Sequence, residues 1–183
     1  MKEFQTELKI PKDRIAVLIG KHGSVKKDIE GRTGTELDIN SKEGDVIVYG
    51  DDGLKIFEAK EVIQAIGRGF NPQVSLSLLN VDYVFDLISI KDFAGTKNSE
   101  IRLKSRVIGS QGKARRIIED LSESNIIIYG KTIGIIGKAE SVNVAKRAIL
   151  MLLRGSRHAS VYHWLERKRK SLKSMEFAMR EES

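Results

Sequence analysis

Apolar and polar positions alternate in two stretches of the chain that share one larger pattern. Near the start, Glu7-Leu8-Lys9-Ile10 alternates with period two and predicts a half-buried strand. Pro11 follows as a helix-starting residue, and Ile15, Leu18 and Ile19 give a short helical face. Gly20 to Gly23 interrupts it. Ser24 to Thr33 resumes as a second helix, with Val25 and Ile29 inward, Lys26 and Lys27 outward, and Gly34 placed to end it. Leu37 and Ile39 mark a second strand, 41–45 a turn, and Val46-Ile47-Val48-Tyr49 a third strand. Ile56, Ala59, Ile63 and Ile66 then mark an amphipathic helix over 54–66. The predicted order is β-α-α-β-β-α.

The second stretch repeats that order. It predicts a strand over 83–90, helices over 98–107 and 113–121, a hairpin of 125–129 and 133–136 around Gly130-Lys131, and a closing helix over 141–153. The repeat is also visible residue by residue. Val17-Leu18-Ile19-Gly20-Lys21-His22-Gly23 corresponds to Arg106-Val107-Ile108-Gly109-Ser110-Gln111-Gly112, and Ile29-Glu30 to Ile118-Glu119, at a constant offset of 89. The expected organisation is therefore a first module over 1–70, a linker helix within 71–81, a second module over 82–155 and a basic C-terminal helix within 156–183. Asn71-Pro72 reads as the N-cap and first residue of the linker helix. Val74, Leu76, Leu78 and Leu79 make the linker too apolar to hang free, which predicts that the modules pack together. The fold class is α+β, with each module a three-stranded antiparallel sheet carrying helices on one face.

Composition narrows the partners. The formal net charge is +7, which favours an anionic partner, most often nucleic acid. Residues 1–70 are net −1, residues 71–155 net +5 and residues 156–183 net +3, so the basicity belongs to the second half and the tail. Cysteine is absent, which excludes disulfides and thiolate metal sites. With no run of 18 apolar residues and no apolar leader at Met1-Lys2-Glu3-Phe4-Gln5, the expectation is a cytoplasmic protein without a membrane partner.

The Gly-x-x-Gly segments carry the chemistry. A phosphodiester is best held by donors that approach closely, and backbone N–H groups at a helix N-terminus do so, helped by the helix dipole. Glycines at both ends of the loop remove Cβ atoms that would hold a phosphate away and permit the tight reversal between helices. The middle positions, Lys21 and His22 or Ser110 and Gln111, are polar as a solvent-facing loop requires. The candidate RNA-binding residues are Gly20, Lys21, His22, Gly23, Lys26 and Lys27 in the first module. In the second they are Gly109, Ser110, Gln111, Gly112, Lys113, Arg115 and Arg116. One such loop alone is a glycine-bearing turn in most proteins; two in the same context make coincidence improbable.

Ile19-Gly20-Lys21-His22-Gly23-Ser24-Val25-Lys26-Lys27-Asp28-Ile29-Glu30, ending in Thr33-Gly34, resembles the KH-domain signature, and the element order is that of the type I module. The resemblance implies that each module clamps about four nucleotides of a single strand. Bases would lie in an apolar groove containing Ile15, Leu18, Ile19, Leu37 and Ile39 in the first module. Val107, Ile108, Ile117, Ile126 and Ile128 would form that of the second. Most of these are equally expected as core residues. The second module departs from the signature, with Glu123-Ser124 read in place of the Thr-Gly pair.

Two KH modules, a linking helix and a basic C-terminal helix together resemble the archaeal relatives of the partner-of-Nob-one ribosome-assembly factor. That resemblance implies binding to single-stranded RNA in the 3′ region of small-subunit rRNA during its maturation. It also implies two protein partners, the endonuclease that trims that end and the alpha subunit of translation initiation factor two. Two alternatives stay open: a general KH-type mRNA-binding regulator, and a protein-interaction scaffold in which one module no longer binds RNA.

Enzymatic signals are poor, and the expectation is a non-enzyme without cofactor or metal. His22, His158 and His163 lack metal-ligand spacing. Gly130-Lys131-Thr132 resembles the end of a P-loop, but Asn125 stands where glycine is required. Asp51-Asp52-Gly53 reads as a turn and helix cap. In the tail, a helix over 160–180 is expected, with Val161, Leu165, Leu172, Met175 and Met179 as a discontinuous seam broken at Lys168, and Trp164 as its anchor. Glu166-Arg167-Lys168-Arg169-Lys170 is a charge run, read as a solvated face or, beside a nucleic-acid module, as added phosphate contacts or a protein-docking segment.

Overall fold

The computed structural model describes residues 3–181, without the side chains of 176 and 178–181; Met179 of the tail seam thus lies outside the described side chains. The chain divides into two compact units between Phe85 and Asp86. In the first, β1 (Phe4–Lys9), α1 (Lys12–Ile19), α2 (Ser24–Thr33), β2 (Glu36–Asn40), β3 (Asp45–Gly50) and α3 (Gly53–Gly67) follow in the expected order, and α4 (Pro72–Leu76) and a 3₁₀ turn over Ser77–Leu79 complete it. The strand β4 (Tyr83–Ser89) crosses that boundary, and the second unit goes on with α5 (Lys97–Ile108), α6 (Lys113–Ser122), β5 (Asn125–Tyr129), β6 (Thr132–Lys138), α7 (Ala139–Leu153) and α8 (His158–Glu181). The fold is α+β, and its sheets are ordered β1-β3-β2 and β4-β6-β5.

Strand alternation sets the register. Val46 and Val48 of the central β3 are fully buried, while the alternating Ile47 and Tyr49 are half-buried. Pairing Leu8 and Ile39 with Val46, and Leu37 with Val48, puts one apolar row on the helix-facing side. Ile15 and Leu18 of α1, Ile29 of α2 and Ile56 and Ile63 of α3 close the core over it. The second core repeats this with Leu103, Val107, Ile118, Ile126, Ile133, Ile135, Ile149 and Leu152.

The segment read as a linker belongs to the first unit. Asn71 caps α4 through Val74 N–H at 2.9 Å, and Leu76, Leu78 and Leu79 pack against the first core. Phe85 sets its ring edge-on to Phe70 at 6.0 Å, which keeps the start of β4 with that unit. The apolarity of 74–79 is therefore accounted for by the first module's own core. Helices α3 and α4 start at 53 and 72, and α7 and α8 at 139 and 158, both at an offset of 86. Helix α4 is thus the first module's counterpart of the start of α8: Ser75 and Val161 are both fully buried, as their equivalence demands. The repeated unit therefore extends past the roughly 70 residues its motifs delimit, by α4 and the 3₁₀ turn in the first module and by the start of α8 in the second.

A guanidinium clamps each unit. Arg14 of α1 donates from Nε to the Ile66 carbonyl at 2.8 Å and from Nη2 to the Phe70 carbonyl at 2.8 Å. Arg106 of α5 donates in the same way to Leu152 at 3.1 Å and to Ser156 at 2.6 Å. Each cation joins a carbonyl of the last helical turn, which also accepts from Gly69 or Gly155 N–H, to a carbonyl just past the helix, where the dipole also favours it. Replacing Arg106 by Met should destabilise the second unit by about 2–3 kcal/mol, since charge-assisted bonds to partly buried carbonyls are lost. Urea denaturation followed by the fluorescence of Trp164 checks this; a shift below about 0.5 kcal/mol would deny the clamp its role.

Candidate nucleic-acid interface

The two Gly-x-x-Gly loops have one backbone conformation. Gly20 and Gly109 both lie at φ 73° and ψ 174°. His22 and Gln111 are left-handed at φ 54° and 52°, and Gly23 and Gly112 follow at φ 77° and 75°. The glycines do different work. A Cβ on Gly20 would meet Val25 Cγ2 at 2.5 Å and its N at 2.8 Å; on Gly109 it would meet Ala114 Cβ and N at 2.6 Å. The first glycine of each loop therefore admits the chain's own next helix rather than a ligand, contrary to the expectation that both clear space for phosphate. At the second glycine a Cβ would meet nothing nearer than Lys27 Cε at 4.0 Å in the first loop, and nothing within 4 Å in the second. That position opens outward.

Helices α2 and α6 begin at those outward glycines. Neither N-cap supplies a side-chain acceptor, and neither helix has an acidic residue in its first turn. The N–H groups of Ser24 and Lys113 turn back to the Lys21 and Ser110 carbonyls, but no side chain caps either first turn and the positive dipole end is uncompensated. Lys113 opens α6, a position where a cation is disfavoured by the dipole unless an anion is present. The middle-loop side chains Lys21, His22, Ser110 and Gln111 are exposed, as are Lys27, Lys113 and Arg116. Arg116 donates from Nη2 to the Gln111 carbonyl at 3.0 Å and braces the loop from behind.

Lys26 and Arg115 stand differently from their neighbours. Lys26 Nζ lies 3.8 Å from Glu30, and Arg115 Nε lies 3.6 Å from Glu119. The same carboxylates accept from the strand opposite: Leu37 N–H reaches Glu30 Oε1 at 2.8 Å, and Ile126 N–H reaches Glu119 Oε1 at 2.8 Å. Each glutamate therefore ties the second helix of its module to the edge strand that walls the groove. In an antiparallel ladder, outward-facing backbone groups recur at every second residue. Those of Ile39 and Ile128 thus face the groove as well. The Ile29-Glu30 and Ile118-Glu119 identity at constant offset was the signal for this pair, yet spacing alone gives no role to it.

The apolar groove residues divide by depth. Ile15, Leu18, Leu37, Val107 and Ile126 are 4% exposed or less and belong to the cores. Ile19 and Ile39 in the first module, and Ile108, Ile117 and Ile128 in the second, keep surface that a base could cover. Among the differences between the module floors, Asp28, paired with Arg32 at 2.7 Å, stands where the second module has Ile117.

At the far end of these helices the structure corrects the pairing of the repeats. The counterparts of Thr33-Gly34 are Ser122-Glu123, one residue earlier than the Glu123-Ser124 read from sequence. Thr33 donates to the Ile29 carbonyl at 2.7 Å and shares a 2.7 Å bond with Thr35. Ser122 and Ser124 repeat both contacts at 2.6 and 2.8 Å. Only the cap differs, Glu123 taking at φ 56° the left-handed place that Gly34 holds at φ 68°.

The remaining features take structural roles. Asp52 caps α3 through Leu54 N–H at 2.8 Å. Gly130-Lys131 forms the turn between β5 and β6. Trp164 is half-buried against the second core beneath Arg147, whose guanidinium carbon lies 5.1 Å from the ring centroid. A cavity of about 630 Å³ lined by Lys12, Lys60, Gln64 and Arg68 sits at the end of α1 away from the loop, with Glu7 and Glu43 beside the cations. Among the described residues no group of His, Asp and Glu could hold a metal ion, and no helix is long and apolar enough to cross a membrane.

Comparison with known proteins places these features in a family. Residues 5–65 match the KH domain, and residues 84–170 match the eukaryotic-type (type I) KH domain found second in Pno1 proteins. The chain is 48% identical over 176 residues to the KH domain-containing protein MJ0443 of Methanocaldococcus jannaschii, covering 94% of this chain and 77% of that one. It is 29% identical to the RNA-binding protein pno1 of Dictyostelium discoideum, covering 84% of this chain and 66% of that protein, so it spans just under two thirds of this relative. Among solved structures, the a/eIF2alpha–aDim2p–rRNA complex of Pyrococcus horikoshii holds a chain 42% identical with a TM-score of 0.85, covering 92% of this chain and 95% of that one. Two loops of one geometry on a duplicated type I scaffold, matched along nearly the whole chain, show that this protein belongs to the tandem KH-domain family of the archaeal Pno1 relatives.

Proposed function

We propose that the chain is a non-enzymatic RNA-binding protein of small-subunit rRNA maturation, which holds a single strand in the 3′ region of 16S rRNA. The observation that carries this reading is the pair of uncapped helix N-termini, each presented by a glycine whose outward side is open. Such an arrangement grips a backbone without reading its sequence. Base preference then falls to the edge strands and to the half-exposed isoleucines beside them. Relatives named for pre-rRNA processing, and a relative crystallised with rRNA, support the choice of RNA. The alpha subunit present in that complex supports the same subunit as a partner here. A protein that only holds the strand leaves its cleavage to a separate endonuclease, the second partner of this reading.

The test is binding of an RNA matching the 3′ end of small-subunit rRNA against a scrambled RNA of equal length, over a salt series. Affinity should fall with a slope of about −0.7 per neutralised phosphate, as expected for single strands. Both RNAs should share that slope while the matched RNA binds more tightly. Equal affinities would sink the rRNA reading and leave a general strand binder.

A further inference from the structure

The equivalence of α4 and α8 exposes one difference between the modules. Helix α8 runs on past the length of α4, and its continuation lies along α7. There Trp164, Lys168 and Leu172 share one concavity with Glu140, Asn143, Val144 and Arg147. In the first unit the 3₁₀ turn ends at Leu79, and the chain reverses into β4 through a 3.0 Å bond from Tyr83 N–H to the Asn80 carbonyl. Nothing in that unit therefore continues α4 along α3. At the offset of 86, the positions of α3 that match the covered face of α7 are Leu54, Phe57, Glu58 and Glu61. Their three- and four-residue spacing sets them on one side of the helix, away from the buried Ile56, Ala59, Ile63 and Ile66. Leu54 and Phe57 stand 63% and 58% exposed.

The charge around this bare face is acidic. From 51 to 61 the carboxylates Asp51, Asp52, Glu58 and Glu61 outnumber Lys55 and Lys60. Lys55 is held by Glu58 at 2.8 Å, and Lys60 lines the cavity that holds Gln64 and Arg68. Glu61 is half-buried and makes no hydrogen bond or ion pair among the described residues. Burial pushes its carboxyl above the usual range, against the pull of the neighbouring Lys60. Its counterpart in the second unit is a cation, Arg147, which the Trp164 ring of α8 meets at 5.1 Å. A half-buried carboxylate calls for a cation where the second unit supplies an aromatic ring.

We propose that a basic amphipathic helix of a partner protein docks along α3 over Leu54 and Phe57, in the place that the middle of α8 takes on α7. Its apolar residues cover the two exposed side chains, and lysine or arginine beside them meets Glu58 and Glu61. A second copy of this chain does not supply that helix through the stripe of Trp164 and Leu172, because that stripe is already seated on α7 of its own unit. A nucleic-acid strand is repelled by the same carboxylates that attract the helix, so this surface is distinct from the Gly-x-x-Gly loops.

The probe is a fluorescein-labelled peptide copying residues 158–175, the segment that covers α7, titrated with the full chain and followed by anisotropy. In the full chain the face of α7 is occupied by α8, which leaves that of α3 as the vacant equivalent. Binding should saturate at one peptide per chain. Phe57→Glu should weaken it about tenfold and Glu61→Gln about threefold. A peptide carrying Arg167→Glu and Lys168→Glu should bind about tenfold more weakly than the unaltered one. Phe57 is exposed, so its variant keeps the fold, which the fluorescence of Trp164 in the chain checks. RNA affinity of both chain variants should change less than about twofold, which separates this proposal from the RNA-binding reading. A peptide that does not saturate overturns the proposal, as does binding indifferent to Phe57→Glu or equal binding of the charge-reversed peptide. A dimer of the full chain that sedimentation velocity shows abolished by Phe57→Glu would put a second copy on this face. Loss of RNA affinity in that variant would put RNA there, and either result overturns the proposal too.

Discussion

Gly109→Ala is expected to destabilise the second module by about 3–4 kcal/mol, while Gly112→Ala, three residues on, costs about 1–2 kcal/mol. Both glycines have positive φ, so the difference lies in ψ and in space. At ψ 174° Gly109 occupies a region that side-chain-bearing residues essentially do not enter, a strain of about 1–3 kcal/mol by itself. The added Cβ would also sit 2.6 Å from the backbone N of Ala114, which belongs to the first turn of α6 and cannot move alone. Gly112 is in the ordinary left-handed well at φ 75° and ψ 14°, with nothing within 4 Å of the new atom. Urea denaturation of the two variants, read at Trp164, should order them this way. Near-equal losses would mean that the loop relaxes more freely than its contacts allow.

Replacing both Ser110 and Gln111 by Asp should weaken RNA binding about 10- to 100-fold, on the order of 1.4–2.8 kcal/mol. The same change at Lys21 and His22 should cost less. Asp tolerates the left-handed backbone of Gln111 and His22, so the substitution adds charge without demanding a new loop shape. The new carboxylates would face the phosphate at the uncapped end of α6 and repel it. The ranking of the modules rests on charge and on one groove position. The segment 71–155 is net +5 against −1 for 1–70, and the second groove presents Ile117 where the first presents Asp28. Filter binding or surface plasmon resonance near 0.15 M salt decides it; unchanged affinity on altering the second pair would reverse the ranking.

Much of this was legible in the chain. The constant offset of 89 from the loops to the edge strands located both modules, both loops and the order of elements, because glycine pairs and strand alternation leave direct marks. The rest was hidden where the register of the repeats slips. The second hairpin turns on Gly130-Lys131, two residues against the four between Asn40 and Asp45, and the offset falls to 86 by the start of α7. Past that point Arg68-Gly69 and Arg154-Gly155 still match, but Pro72–Leu76 shares no identical residue with the start of α8, so nothing in the sequence marks the equivalence of Pro72 with His158. The clamping arginines are hidden for a related reason: Arg14 and Arg106 stand 92 apart, one turn out of register, and reach equivalent carbonyls only because long guanidinium side chains span the difference. The misplaced counterpart of Thr33-Gly34 has a third cause. The signature ends its helix in glycine, whereas Glu123 fills that place in the same left-handed conformation.

The docking of α4 on its own module bears on where the chain could be divided. A fragment ending at residue 70 keeps every element of the β-α-α-β-β-α order, yet it strips Leu76, Leu78 and Leu79 from the core they cover. It also discards the Phe85 ring that rests edge-on against Phe70. A fragment ending at residue 85 retains both. Solubility and resistance to proteolysis should separate two such halves, and the shorter should aggregate through the apolar strip it leaves bare.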